Sequence, residues 1–131
     1  MKINWERIDQ ILIEAKNKFK EKNVWVFDLD GTICSQVKDG QYKNANPFQE
    51  RIEVINRLYD DGKTIIIWTA RGMNRFNGDV EKVYKEFYEL TLKQLKEWNV
   101  KYHHLELGKM KYDVFVDDRA LSDIEFFRGK K

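Results

Sequence analysis

Two aspartates one residue apart, Asp28 and Asp30, directly follow the apolar run Val24-Trp25-Val26-Phe27 and precede a Gly31-Thr32 turn. A carboxylate at the end of a buried strand sits on a rigid support, as a nucleophile should. Asp28 suits attack on phosphorus, forming an aspartyl-phosphate that divides one difficult hydrolysis into two easier steps. Asp30, beyond the strand where the chain turns, is placed to protonate the leaving-group oxygen and then to activate water. Gly31 permits the close turn and the near approach of backbone N–H groups to a phosphate. Thr69 ends a second apolar run, Thr64-Ile65-Ile66-Ile67-Trp68, and offers a hydroxyl and a backbone donor to a phosphate oxygen. The Lys109 ammonium would balance the charge of a phosphoryl group in transfer. Asp117 and Asp118 end a third apolar run, Val114-Phe115-Val116. Two anions must approach one another in this chemistry, which calls for a hard divalent cation. Magnesium keeps several waters and needs one or two carboxylates, a backbone carbonyl and a phosphate oxygen. Asp28, the carbonyl of Asp30 and a carboxylate from Asp117-Asp118 would supply that set.

The elements that must hold these residues follow from hydrophobic periodicity. Trp5, Ile8, Ile11, Leu12, Ala15 and Phe19 recur at the spacing of one helical face. The run Val24–Phe27 suits a strand covered on both faces, at the centre of a parallel sheet. Residues Ile33 to Asn46 are polar, carry Gly40 and read as a loop or small flap. Pro47 suits the first turn of a helix, and Ile52, Ile55, Leu58 and Tyr59 keep helical spacing until Asp61-Gly62 ends it. After the second strand and a loop from Gly72 to Gly78, a long helix carries Val80, Val83, Phe87, Leu90, Thr91, Gln94, Leu95 and Trp98 along its face. A short strand near Tyr102 to Leu105, the strand Val114–Val116 and a helix from Ala120 to Phe127 complete the order. Alternating helices and apolar strands predict an α/β, Rossmann-like three-layer domain with a mostly parallel sheet and right-handed crossovers. Such sheets bind ligands beyond the carboxyl ends of their strands. The candidate polar residues all fall at that edge.

At 131 residues the chain fits one domain, 1–131, in which residues 1–22 form an amphipathic helix preceding the first core strand. The 24 basic and 22 acidic side chains nearly cancel, so charge alone argues for neither nucleic acid nor membrane as partner. One cysteine, Cys34, excludes an internal disulfide framework and fits a reducing compartment. No apolar run approaches the roughly 20 residues that span a bilayer. A cytoplasmic protein without membrane attachment is the expectation.

The motifs carry a resemblance. The segment from Val24 to Thr32, with Asp28-Leu29-Asp30-Gly31-Thr32 at its end, resembles the first motif of the haloacid dehalogenase (HAD) superfamily. Ile65-Ile66-Ile67-Trp68-Thr69 is similar to the second motif, Lys109 to the lysine of the third, and Phe115-Val116-Asp117-Asp118 to the acidic fourth. The resemblance runs from Val24 to Asp118. It implies a Rossmann-like fold and magnesium-dependent hydrolysis of phosphomonoesters. It also implies a metal site of Asp28, Asp30, Asp117 and Asp118, with Asp118 on the metal and Asp117 supporting Asp118 or Lys109. Phosphate contacts would come from Gly31, Thr69, Ala70, Arg71 and Lys109. The chain departs from the family in two respects. Few residues separate Lys109 from the acidic strand, so Lys111 competes for the lysine role, and no insertion is long enough for a cap domain. The whole is similar to short capless phosphatases of bacterial surface-sugar pathways, and its Asp117-Asp118-Arg119 end to the phosphatase half of polynucleotide kinase-phosphatases.

Plainer readings exist for each residue. Asp28 and Asp30 would otherwise be exposed turn carboxylates, and Asp117-Asp118 helix caps. Arg71 and Arg119 either touch a phosphate or balance the acidic cluster. His103 and His104, adjacent on a strand, point to opposite faces and suit structural or surface roles. A small phosphate ester such as a sugar phosphate is the expected partner; an open site also admits nucleic-acid 3′-phosphates, though these call for a basic track. A phospho-accepting signalling receiver is a rival of another class, but there the acidic pair comes first along the chain and the phosphorylated aspartate later. A non-catalytic binding module is a further alternative. The N-terminal helix either pads the sheet or joins two subunits into a homo-oligomer.

Overall fold

A computed structural model describes residues 2–38 and 40–129. Helix α1 (Trp5–Lys18) starts at Asn4, whose side chain accepts a hydrogen bond from the Arg7 amide at 3.0 Å, and buries Ile8, Ile11 and Ala15. It leads to β1 (Val24–Phe27), then α2 (Gln49–Asp60), β2 (Thr64–Thr69), α3 (Val80–Glu97), β3 (His104–Leu107) and α4 (Asp123–Phe127). The strands form one parallel sheet in the order β1-β2-β3, so neighbours in sequence are neighbours in space. Parallel neighbours need a crossover, and α2 and α3 supply the two. No helix among the described residues is long and apolar enough to cross a membrane.

Register decides which side chains share a face. Trp25 and Phe27 align with Ile65 and Ile67, and Ile67 and Thr69 align with Leu105 and Leu107. This face is the buried one: Ile65 and Ile67 are fully covered, and Phe27 packs on Phe126 and Phe127 of α4. The opposite face carries Val24, Val26 and Trp68, which are 62%, 54% and 38% exposed. Among the described residues the sheet is therefore helix-covered on one face only, and the third layer expected from the sequence does not form. Nor is β1 central: among the described residues it is an edge strand, with β2 as its single neighbour.

The absent fourth strand accounts for both differences. Val114, Phe115 and Val116, predicted as a buried strand, are irregular, with Val114 79% and Val116 92% exposed. Three apolar residues between Asp113 and Asp117-Asp118 make few ladder bonds against the entropy of ordering the segment. Strand β3 lies two residues later than the predicted Tyr102–Leu105. There the His103 side chain takes a ladder position: its Nδ1 accepts from the Ile65 amide at 3.0 Å while its own amide donates to the Ile65 carbonyl at 2.8 Å. Pro47 does not open α2 but forms an antiparallel bridge with Cys34, and the last helix is shorter than expected, beginning at Asp123. β1, α2, β2 and α3 lie within one or two residues of their predicted places, and the N-terminal helix, expected over residues 1–22, spans Trp5–Lys18. The buried Arg51 of α2 pins the C-terminus, bonding Asp123 at 2.7 Å and the Gly129 carbonyl at 3.3 Å, with its guanidinium 4.6 Å from the Phe127 ring.

Candidate active site

The carboxyl ends of β1 and β2 and the segment after β3 border a cleft of about 310 Å³, lined by Asp28, Asp30, Thr69, Ala70 and Lys109 among others. Asp28 is the first residue beyond β1, and its side chain is 38% exposed to the cleft and solvent. One carboxylate oxygen lies 3.3 Å from Lys109 Nζ; the other accepts from Thr32 Oγ1 at 3.2 Å. Lys109 is 14% exposed. Its amide donates to the Thr69 carbonyl at 3.1 Å, and its ammonium lies 5.8 and 5.3 Å from the Trp68 and Tyr112 rings. Cation–π attraction to the two rings favours the ammonium in this place beside the carboxylate. Lys111, the rival for this place, instead bonds Asn74 Oδ1 at 2.9 Å.

Thr69 is buried at the end of β2, and its hydroxyl oxygen accepts from the Arg71 amide at 3.2 Å. Thr69 lines the cleft, and its hydroxyl retains a proton to donate, because a hydroxyl is donor and acceptor at once. Gly31 makes the expected turn at φ +89°, and a Cβ there would meet Gln36 Nε2 at 2.7 Å. Its own amide, however, donates to the Cys34 carbonyl at 2.7 Å, which corrects its expected role as a phosphate donor.

Of the two roles open to Arg71, phosphate contact or balance of the acidic residues, the structure shows the second. Its side chain has no exposed surface. Nε and Nη2 grip the Asp30 oxygens at 2.9 and 3.0 Å, and Nη1 donates to Thr91 Oγ1 at 3.1 Å and Gln94 Oε1 at 2.6 Å. Nη2 also approaches Cys34 Sγ at 3.8 Å, and the Tyr42 ring lies 4.8 Å from the guanidinium. With its donors all directed at protein atoms, Arg71 does not bind a substrate phosphate in this arrangement. Its partners Thr91, Gln94 and Tyr42 were missed as site residues. The signal was present, since Thr91 and Gln94 are polar residues in the inward stripe of a long helix, where a polar group needs a buried partner. Cys34 is buried, and burial first, then the Asp30 charge, pushes its thiol up to about 12. It is therefore a neutral donor, 3.4 Å from Asp30 Oδ1.

Asp117 and Asp118 are exposed and do not border the cleft; Asp117 instead accepts from the Arg119 amide at 3.1 Å. No group of three or more His, Cys, Asp or Glu suited to a metal ion occurs among the described residues. Asp28 and Asp30 border the cleft and could supply one carboxylate and one carbonyl to magnesium, whereas the carboxylate expected from Asp117-Asp118 is not brought to it. His103 stacks on Tyr59 at 4.5 Å, and His104 pairs with Glu106. His103 has a structural role and His104 lies at the surface.

No protein-family model matches the chain, and no curated protein does. The chain is similar to a solved structure of an MCSG target from Vibrio cholerae. The two are 29% identical with a TM-score of 0.74, over 82% of this chain and 89% of that one. The likeness supports an α/β, Rossmann-like reading of the fold.

Proposed function

We propose that this chain is a HAD-like phosphomonoesterase without a cap domain, acting on a small phosphorylated metabolite such as a sugar phosphate. The observation that carries the reading is Asp28, at the tip of β1, with the Lys109 ammonium at 3.3 Å and Thr69 on the same cleft. A nucleophilic carboxylate, a cation beside it and a hydroxyl donor are the parts an in-line phosphoryl transfer needs. An Asp28 oxygen attacks phosphorus while the bond from phosphorus to the leaving oxygen breaks, and Asp30 gives that oxygen its proton. In the second half, Asp30 takes a proton from water, the water oxygen bonds to phosphorus, and the Asp28 carboxylate is released. Lys109 and the Thr69 hydroxyl meet the charge on the phosphoryl oxygens.

The cleft volume of about 310 Å³ lies at the small end of ligand pockets, which favours a small ester over a polymer. Magnesium dependence belongs to the resemblance, and none of these steps is routed through the ion. The test is steady-state hydrolysis of an aryl phosphate by the wild type and Asp28→Asn. Turnover abolished by the substitution is expected. Equal turnover in both would falsify the assignment of Asp28 as nucleophile.

A further inference from the structure

Asp30 is held by Arg71, which borders the cleft but is fully buried with its donors engaged by protein atoms, and the hydrogen bonds of Asp30 leave one acceptor site open. A carboxylate has about four acceptor sites, two on each oxygen. On Oδ1, Arg71 Nη2 takes one at 3.0 Å and Cys34 Sγ takes the other at 3.4 Å. On Oδ2, Arg71 Nε takes one at 2.9 Å, and no second partner occurs among the described residues. We propose that Arg71 is a positioning residue that orients Asp30 so that Oδ2 is the proton-transferring atom; this rests on the phosphomonoesterase reading above.

The proton balance is consistent with the inventory. Oδ2 carries the proton on its open site while its other lone pair keeps the bond from Arg71 Nε. It gives that proton to the leaving oxygen as the bond from phosphorus breaks, and later receives one from the attacking water. The guanidinium is fixed in its turn by α3. Gln94 Oε1 and Thr91 Oγ1 hold Nη1, and Thr91 donates to the Phe87 carbonyl at 2.8 Å. A lysine at position 71 would carry the charge but could not hold both Asp30 oxygens and Gln94 at once, because an ammonium lacks the planar fork.

The experiment compares kcat/KM for a nitrophenyl, a phenyl and an alkyl phosphate, whose leaving oxygens are successively more basic, in the wild type, Arg71→Lys and Gln94→Leu. The more basic the leaving oxygen, the more the reaction needs a well-aimed acid. Arg71→Lys is expected to lose about 10²-fold or more on the alkyl ester and less than about tenfold on the nitrophenyl ester, with KM little changed. Gln94→Leu should show a smaller loss in the same order, and it carries the test if thermal melting shows Arg71→Lys unfolded. A uniform loss on all three esters, or a raised KM at unchanged kcat, would overturn the positioning role while leaving the phosphomonoesterase intact. A wild type inactive on all three would overturn the phosphomonoesterase reading, and this inference with it.

Discussion

Replacing Lys109 by methionine keeps a long apolar stem between Trp68 and Tyr112 and removes only the ammonium. At 3.3 Å from Asp28, that charge interacts with the carboxylate by about 5 kcal/mol at an effective dielectric of about 20. The Asp28 side chain is 38% exposed, so water screens part of this. Moreover, only the portion that strengthens as charge builds on the phosphoryl oxygens accelerates the reaction. Removal of one preorganised donor from a comparable site costs about 3–4 kcal/mol, or roughly 10²–10³ in kcat. Lys109→Met should therefore lose about that much in kcat on an aryl phosphate. Lys111→Met, which removes a bond to Asn74 at the cleft rim, should lose less than about tenfold. Steady-state kinetics of the two variants beside the wild type decide the matter, with circular dichroism to show that both are folded. A larger loss from Lys111→Met than from Lys109→Met would refute the assignment.

Tyr42→Phe removes the oxygen that accepts from the buried Gly72 amide at 2.8 Å; an unpartnered buried donor costs about 1–3 kcal/mol, and an unchanged melting temperature would contradict this. Cys34 gives a pH signature: its thiol is raised from 9.0 to about 12 by burial first. Between those values the unfolded chain has lost a proton that the folded chain keeps, so stability falls as pH rises, by up to about 1.4 kcal/mol per unit from this group. Urea unfolding of the wild type and Cys34→Ala at pH 8 and 10 should show the wild type losing more, and equal losses would count against the buried neutral thiol. The family resemblance leads us to expect turnover that needs magnesium, and an Asp118→Asn variant that needs more of it. The second result would require Asp118 to approach Asp28 in solution; turnover unaffected by EDTA would refute the magnesium dependence, and an unchanged magnesium requirement in Asp118→Asn would agree with the exposed position of Asp118.

How much of this was legible in the sequence follows from the range of the forces involved. Val24–Phe27 and Thr64–Thr69 are dense in β-branched and aromatic residues, and each ends at a candidate polar group, so their existence and their common edge could be read directly. The three helices with sustained 3.6-residue periodicity were equally visible. Whether a short apolar run becomes a strand is a different matter, because it depends on a neighbour offering ladder bonds. Val114–Val116 has the composition of a strand but no such neighbour here. The same nonlocality left two roles open for Arg71, phosphate contact or balance of the acidic residues, because the partners that decide between them are Asp30, 41 residues earlier, and Thr91 and Gln94, 20 and 23 residues later. For Lys109 and Lys111 the sequence offered two candidates. The Lys109 amide bond to Thr69 and the flanking rings place Lys109 beside Asp28.

Tyr42 joins the cleft wall to the interior at four points. Its hydroxyl takes the Gly72 amide, its carbonyl takes Gln94 Nε2 at 2.7 Å, its ring meets Phe87 edge-on at 4.9 Å, and it covers the Arg71 guanidinium. A segment so attached does not fluctuate open as an independent unit, because its release leaves polar groups of α3 and the β2–α3 turn unpaired. Opening of the wall around Tyr42 is then coupled to subglobal unfolding. On the phosphomonoesterase reading, this part of the wall is then a fixed side of the cleft that a substrate meets already formed.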